Sequence, residues 1–445
     1  MIWLVTIVTT LLWSTAAAAP ANALQWKAGV ARVDITPAEP IWLAGFGSRT
    51  KPSEGVRQKI WVKALALEDG AGARSVLIAS DLLGFTADMA RHVSDHALRN
   101  HGIPRERLAI NSSHTHSAPV TGSLLRPAYP FDAAQEEVVK RYTAQLLTQV
   151  DDVIGAALKD LAPASLAFDQ GNAGFATNRR RTRLRQYPGP VDQDVPVLAV
   201  RAPDGQLRAI LFGYACHATS LSDNLVSGDW PGFAQSAIEE RNPGVTAMFV
   251  TGAGADANPL PRRTVELARG YGEIMAEAVG QVLAGKMMPV AGPLRTAFQT
   301  VDLAFAEVPT REELQKRAQS PDAALRRHAE YLLAKMTPDG KLWDRYPYPV
   351  QIWQFGSSLK MIILGGELVV DYALRLKGMY GWANTWVAGY SNDVFAYIPS
   401  VRILKEGGYE GGGAMIPYGQ PGKFHPAVEE TIIETVERLM SKTAP

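Results

Sequence analysis

Two histidines separated by one residue, His114 and His116, follow the apolar segment 108–110 in the run Asn-Ser-Ser-His-Thr-His-Ser-Ala-Pro. If the strand predicted at 108–110 continues through this run, both imidazoles project from the same face into one cavity, because residues two apart share a face in an extended chain. Paired imidazoles are the start of a metal site. A catalytic zinc needs about three protein ligands and an open position for water, so the other ligands must come from elsewhere in the chain.

His217 repeats this arrangement, because the apolar run 207–214 leads directly into Ala215-Cys216-His217. Glu367 lies between a predicted strand and a predicted helix and follows two glycines, which would let the backbone approach a neighbouring segment. Structural interpretations stay open for both residues. A single buried histidine is more often a hydrogen-bonded core residue than a ligand, and a glutamate before a helix can simply interact with the helix dipole.

The pattern of apolar residues predicts a mixed β-sheet core with flanking helices and a metal site at the C-terminal ends of strands. Strands and helices alternate in the first part of the chain and strands dominate later, which is typical of the α/β (or α+β) class. The segments that we expect to form helices are 86–100, 133–161, 228–241, 264–283, a pair within 309–336, and 426–440. Asp81 ends a buried strand, where it is either a functional carboxylate or the N-cap of the next helix. The glycine-rich run 251–258 lacks the residues of a phosphate-binding loop, which excludes a nucleotide site there.

The composition indicates one large globular domain. The chain has 445 residues, 47% of them hydrophobic, and a formal net charge of +1, which gives no basic surface for nucleic acid. Residues 1–23 read as a signal peptide, so the mature domain, 24–445, is expected in the periplasm or outside the cell. An uncleaved anchor is the alternative, although the apolar run is shorter than a membrane span. Cys216 is the only cysteine, so no intramolecular disulfide forms. The oligomeric state stays open.

Several of these segments together resemble the catalytic domain of the neutral ceramidases, zinc amidases that hydrolyse N-acyl sphingosine. The matching segments occur in the same order as in the family and extend over most of the mature chain. The Ser-His-Thr-His-Ser segment is the most specific of them. They are Arg32-Val33-Asp34-Ile35-Thr36, Ser113-His114-Thr115-His116-Ser117, Asn178-Arg179, Cys216-His217-Ala218-Thr219-Ser220, Ser227-Gly228-Asp229-Trp230-Pro231-Gly232, Gly366-Glu367, and Gly389-Tyr390-Ser391-Asn392 followed by Tyr397.

The resemblance implies one zinc ion per chain, bound by a nitrogen and oxygen ligand set that suits zinc. Its implied ligands are His114, His217, Glu367 and Tyr397. It also implies roles for two neighbouring residues. Zinc would activate water and polarise the amide carbonyl. His116 would act as general base and acid, and Arg179 would stabilise the oxyanion. From its residue type alone, Tyr397 could equally be a core aromatic residue with a satisfied hydroxyl.

The chain departs from the family pattern at two places. The family places a serine in the glycine-rich loop where this chain has Gly252, so a covalent route through serine is unsupported and Thr251 is a weak substitute contact. We also expect no C-terminal immunoglobulin-like domain, which puts ceramide itself in question. The expected partner is therefore a small N-acyl amide or lipid, with peripheral membrane contact allowed.

Two other functions fit parts of the pattern. A metal-dependent esterase or phosphoesterase could use Asp81, Asp229 and Asp256 to bind a second metal. A non-catalytic periplasmic protein that binds lipid or glycan could retain a degraded site, although binding alone gives no reason to keep His114, His116, His217 and Glu367 together.

Overall fold

The structure is a computed structural model and describes residues 26–180 and 189–444. The predicted signal peptide at 1–23 lies outside the described residues. The described strands are β1 Trp26–Asp34, β2 Trp61–Glu68, β3 Arg74–Ser80, β4 Leu108–Ser112, β5 Ala162–Asn172, β6 Ala176–Asn178, β7 Asp194–Arg201, β8 Leu207–Tyr214, β9 Thr246–Thr251, β10 Ala257–Pro259, β11 Met288–Pro289, β12 Leu294–Ala304, β13 Arg345–Phe355, β14 Leu359–Leu364, β15 Glu367–Leu368, β16 Thr385–Ala388 and β17 Tyr397–Ile398. The described α-helices are α1 Ala87–His101, α2 Ala133–Lys159, α3 Asp229–Arg241, α4 Val265–Ala284, α5 Arg311–Arg317, α6 Ala323–Lys335, α7 Val370–Tyr380, α8 Val401–Glu406, α9 Met415–Tyr418 and α10 Val428–Thr443.

Two sheets pack face to face at the centre of the molecule. The larger sheet has the order β4-β3-β2-β1-β5-β7-β8-β9, with β11 paired to β5, and the smaller has the order β12-β13-β14-β16. Both are mixed: β3–β4, β8–β9 and β14–β16 are parallel pairs, and the other pairs in these two sheets are antiparallel. Phe168 of the larger sheet stacks on Trp386 of the smaller one, with ring centroids 6.2 Å apart, inside a core to which both sheets contribute. The predicted mixed-sheet core is confirmed.

Helices cover the outer faces of both sheets and complete four layers, helix on sheet on sheet on helix. Helices α1 and α2 pack on β1–β4, and α3 and α4 pack on β7–β9. Helices α7 and α10 cover the smaller sheet. In this sandwich the C-terminal ends of several strands lie close together at one edge. The loops that follow these strands can position functional residues there.

Local capping signals set the helix boundaries close to their predicted positions. The side chain of Thr86 caps α1 by accepting from the backbone of Met89, and Asp132 forms a capping box with Gln135 at the start of α2. The predicted N-cap role of Asp81 is therefore wrong. Its carboxylate instead accepts from the Trp61 amide at 3.0 Å and from a glutamine of α3.

The side chain of Asn111 joins the ends of three strands. Its Oδ1 accepts from the Thr251 amide at 2.9 Å, which ties β4 to β9, the two edge strands of the larger sheet. Its Nδ2 donates to the Gly389 carbonyl at 2.8 Å, just beyond β16 of the smaller sheet. This one buried amide therefore brings the C-terminal ends of β4, β9 and β16 together.

Within the described residues, no helix is long and apolar enough to cross a membrane.

Candidate metal centre

His114 reaches the site through a turn. Strand β4 ends at Ser112, and His114 adopts a left-handed backbone conformation with φ of 58°. The expectation that the strand continues through the histidine pair is therefore wrong, although both imidazoles do reach one site, with ring centroids 5.0 Å apart. The ring Nδ1 of His114 lies 2.6 Å from the Leu83 carbonyl. A residue that is not glycine in this conformation is strained, and such strain is concentrated at functional sites.

His217 enters from the end of β8, as the sequence predicts. Its amide donates to the Ala257 carbonyl at 3.0 Å, and its Nδ1 lies 2.7 Å from the Gly254 carbonyl. A carbonyl can only accept, so Nδ1 of both His114 and His217 carries the proton, and each Nε2 presents a lone pair. This is the arrangement that orients histidine ligands of metals.

Glu367 and Tyr397 are neighbours across a short parallel ladder, because β15 pairs with β17 in the register Glu367↔Tyr397. The preceding Gly366 has φ of 68°, and a Cβ there would lie 2.5 Å from a side-chain carbon of Ile398. Only glycine allows this close approach of the two segments. Glu367 is consequently a strand residue, and the helix-start interpretation is wrong, since α7 begins at Val370.

The four implied ligand side chains converge on one point. Oε2 of Glu367 lies 3.2 Å from Nε2 of His114 and 3.0 Å from Nε2 of His217, and Oη of Tyr397 lies 3.2 Å from Nε2 of His217. Ligand atoms about 2.0 Å from a tetrahedral ion are separated by about 3.3 Å. The observed separations and the donor set therefore fit a zinc-sized ion.

The ring nitrogens of His114, His116 and His217 also lie within 4.8 Å of one another, so a three-histidine site is a second geometric option. The shorter separations to Glu367 favour the set that includes the carboxylate. Burial opposes ionisation of Glu367, but the two adjacent histidines outweigh it and hold its pKa well below the ordinary value. Burial, followed by the charge of Arg179, lowers the pKa of His217 to about 4. The carboxylate of Glu367 is thus ionised, and the imidazole of His217 beside it is neutral.

His116 is a buried imidazole with both ring nitrogens lacking a hydrogen-bond partner among the described residues. Burial, then His114 and His217, lower its pKa well below the ordinary value, so the ring is neutral. Arg49 fixes its backbone by donating to the His116 carbonyl at 2.7 Å. Gly45 packs directly against the ring. A buried imidazole without partners costs free energy unless a water or a substrate satisfies it.

Arg179 follows β6 and lies beside the ligand set. It donates from Nη2 to the Tyr397 hydroxyl at 3.0 Å and from Nε to Glu410 at 2.7 Å. Strand β6 is placed by β10, with Asn178 paired to Ala257. The structure thus brings together all six predicted site residues, with Arg179 and His116 next to the ligand atoms.

The remaining predicted carboxylates are kept apart. Asp81 and Asp229 accept backbone amides at different places, and Asp256 accepts from the Val370 amide at 2.9 Å and from Asn178. Within residues 26–180 and 189–444, these three form no metal-binding cluster. This geometry does not favour a second metal.

The glycine-rich loop has a structural explanation for its residues. Gly252 is buried, and a Cβ at this position would lie 3.1 Å from the side chain of Ala215. The Thr251 hydroxyl donates to the Ser112 carbonyl at 2.8 Å, so this hydroxyl is engaged in joining β9 to β4.

Sequence reasoning missed several residues that contact the ligand set. Tyr418 donates to Oε1 of Glu367 at 2.5 Å, and Glu410 holds Arg179. Arg49 and Gly45 position His116. The glycine runs at 407–408 and 411–413 mark an unusual backbone around Glu410, but nothing in the local pattern connects Glu410 to an arginine 231 residues away.

Comparison with known proteins supports a family assignment. Residues 26–259 match the family model described as neutral/alkaline non-lysosomal ceramidase, N-terminal. The chain is 24% identical over 327 residues to the neutral ceramidase of Pseudomonas aeruginosa, covering 66% of this chain and 47% of the relative. It is 22% identical over 231 residues to neutral ceramidase B of Dictyostelium discoideum, covering 48% of this chain and 32% of the relative.

Two solved structures share the fold. The crystal structure of the Pseudomonas aeruginosa neutral ceramidase has a TM-score of 0.73 at 19% identity, over 95% of this chain and 75% of that one. A structure described as ceramidase complexed with C2 has a TM-score of 0.72 at 18% identity, over 95% and 77%. The chain spans about half or less of the length of the curated relatives it matches. Since the family model covers more than half of the 445 residues, the chain belongs to the neutral/alkaline non-lysosomal ceramidase family.

Proposed function

We propose that this protein is an exported, zinc-dependent amidohydrolase that cleaves the N-acyl amide of ceramide or of a ceramide-like lipid. The observation that carries the proposal is the convergence of His114, His217, Glu367 and Tyr397, whose ligand atoms lie 3.0–3.2 Å apart in the contacts between them. A bound zinc lowers the pKa of water and polarises a carbonyl oxygen. Family membership supports the choice of an amide as the bond cleaved.

His116 is the proposed general base and acid. It is neutral, has a free lone pair on one ring nitrogen, and lies beside two proposed ligands. It accepts a proton from the attacking water as the water oxygen bonds to the carbonyl carbon. It then returns that proton to the amide nitrogen as the C–N bond breaks. Such proton transfer contributes roughly 10²–10⁴-fold to the rate.

Arg179 and Tyr397 are placed to act on the substrate carbonyl. The guanidinium of Arg179 is partly buried; its Nε donates to Glu410, and its Nη2 donates to the Tyr397 hydroxyl. Burial raises the pKa of Tyr397 well above its ordinary value against the opposing charge of Arg179. A fixed cation at this position stabilises the negative charge that develops on the carbonyl oxygen, which is the usual function of an oxyanion site.

The lipid substrate is proposed from relatives. The curated relatives are named neutral ceramidases, and one solved relative is described as complexed with C2. Export is proposed from the N-terminal sequence alone, and N-terminal sequencing of the mature protein tests it: the protein should begin near residue 24.

Metal analysis combined with two ligand variants tests the proposed function. Plasma mass spectrometry should find about one zinc per chain in the purified protein. His114→Ala and Glu367→Ala should lose the zinc together with hydrolysis of short-acyl ceramide and of simple N-acyl amides, because each removes a ligand. His92→Ala is the matched control, since His92 is an exposed histidine on α1, a helix that contributes none of the proposed ligands.

Other outcomes would redirect the proposal. Wild-type protein that binds no metal after zinc reconstitution would contradict the zinc assignment. Two metals per chain with phosphoester hydrolysis would support the phosphoesterase alternative. Retained lipid affinity without hydrolysis of any amide would support a binding protein.

A further inference from the structure

A cavity of about 740 Å³ opens directly beside the proposed metal centre. Arg179 lines this cavity and donates to the Tyr397 hydroxyl at 3.0 Å. Tyr409 also lines it, with its ring centroid 5.3 Å from that of Tyr397. The volume lies within the range of pockets that bind small molecules. The cavity is therefore placed to receive the part of a substrate next to the bond that is cleaved.

Charged side chains dominate the wall of this cavity. Glu410 is paired with both Arg179 at 2.7 Å and Arg180 at 2.5 Å, and Arg180 also reaches Glu406 at 3.2 Å. A hydrocarbon chain placed here would remove water from these charges and offer no partner in return, which is costly. The cavity is consequently better suited to a polar portion of a substrate than to an acyl chain.

Arg262 is a further cation on this wall. It is half-buried, and within the described residues its guanidinium makes no hydrogen bond or ion pair. Burial, then the like charges of Arg263 and Arg179, lower its pKa. The acid that opposes them, Asp229, already accepts three backbone amides. Within residues 26–180 and 189–444, no side chain therefore forms an ion pair with the positive charge of Arg262.

Arg263 extends the positive charge toward the catalytic histidine. Its backbone has φ of 99°, and its amide donates to the Ser220 carbonyl at 2.7 Å. Its guanidinium carbon lies 5.4 Å from the ring centroid of Phe46, whose ring is in turn 4.8 Å from that of His116. The pair Arg262-Arg263 therefore runs from the cavity wall to the rim beside His116.

We propose that the amine portion of the substrate carries a compact anion, as in an N-acyl amino acid, and that Arg262 binds this anion with support from Arg263. The inference rests on the proposed amide hydrolysis and goes beyond the proposed ceramide substrate, because the amine portion of ceramide carries no anion. A guanidinium matches a carboxylate with two parallel hydrogen bonds. Water adds to the carbonyl carbon, the C–N bond breaks, the proton goes to the nitrogen, and a free amino acid and a fatty acid are released.

The test compares two substrates that differ in one charge, N-dodecanoylglycine and N-dodecanoylethanolamine. The zinc-loaded wild-type protein should have the higher kcat/KM for the glycine amide. Arg262→Gln should lower the ratio of the two kcat/KM values roughly 10- to 100-fold, as expected for loss of a charge-assisted hydrogen bond. Arg262→Lys should restore part of the ratio, because it keeps the charge without the planar fork.

The control and a second measurement keep the test decisive. Arg99→Gln removes an exposed arginine near the end of α1, a helix that does not line the cavity, and should leave the ratio unchanged. On the wild type, raising the salt from about 0.05 to 0.5 M should lower the ratio because salt screens the charges; this measurement stands even if Arg262→Gln does not fold.

Equal hydrolysis of both substrates, with no dependence on salt, would overturn this inference and leave the amidase intact. Hydrolysis of neither substrate and of no ceramide would overturn the proposed function and this inference together.

Discussion

Replacing Gly45 with alanine should separate the two proposed roles of the histidines, because it displaces His116 without touching a proposed ligand. Gly45 has φ of 99°, and a Cβ there would lie 2.4 Å from both Cγ and Nδ1 of the His116 ring. Ordinary van der Waals contacts of a Cβ begin at 3.4 Å. The imidazole must therefore move by about 1 Å, the difference between 3.4 and 2.4 Å.

A displacement of this size has a predictable cost. A misplacement of about 1 Å lowers a rate by roughly 10²-fold, and loss of all proton transfer by His116 sets an upper limit of roughly 10⁴-fold. The positive φ adds a stability cost of about 1–3 kcal/mol. Gly45→Ala should therefore fold with lower stability, lose roughly 10²-fold in kcat, and keep about one zinc per chain.

Gly47→Ala provides the matched control in the same loop, since a Cβ at Gly47 meets nothing within 4 Å and its φ is ordinary. The measurements are the free energy of urea unfolding, the zinc content by plasma mass spectrometry, and kcat on a short-acyl amide. His116→Ala, measured in parallel, gives the full effect of losing the imidazole. Wild-type kcat in Gly45→Ala would refute the role of His116, and folded protein without zinc would show that His116 is itself a ligand.

Two further predictions follow from single contacts. Tyr418→Phe removes the donor to Oε1 of Glu367 and should raise the zinc dissociation constant roughly 10- to 100-fold in competition with a chelator; an unchanged constant would contradict this positioning role. Burial raises the pKa of Asp393 to about 7 against the hydrogen bond from Tyr346. Between about pH 4 and 7 the folded state keeps a proton that the unfolded state loses, so this group lowers the free energy of unfolding by up to about 4 kcal/mol as pH rises. Asp393→Asn should therefore stabilise the protein at pH 8 and have little effect at pH 4. Asp152→Asn, which removes an exposed carboxylate, is the charge control. If the free energy of urea unfolding changed equally with pH in the wild type and in Asp393→Asn, the reasoning would be contradicted.

Local patterns in the sequence were enough to predict most secondary structure and the fold class. Apolar runs of strand length and capping residues act over a few positions, so they can be read without tertiary contacts. Thr86 and Asp132 set the starts of α1 and α2 within one residue of the predicted positions. His217, delivered by the end of β8, follows from the same local reasoning. The description of Asp81 as a cap failed because Thr86, nearer the helix, provides the better-placed acceptor.

The sequence also supplied the candidate ligands, but through family resemblance more than through spacing. Glu367 and Tyr397 are 30 positions apart, and only the two-residue ladder between β15 and β17 makes them neighbours. The left-handed conformation of His114 was not readable either, because a histidine in an apparent strand carries no local signal for positive φ.

Only the tertiary structure decided which charges surround the site. Arg179 and Glu410 are 231 positions apart and meet beside Tyr397, and Arg262 reaches the same cavity from the loop after β10. The sequence by itself determined the elements and the chemistry they carry, because periodicity and capping depend on near neighbours. The packing of the two sheets decided which side chains meet, because burial and pairing across hundreds of residues depend on contacts that exist only in the folded chain.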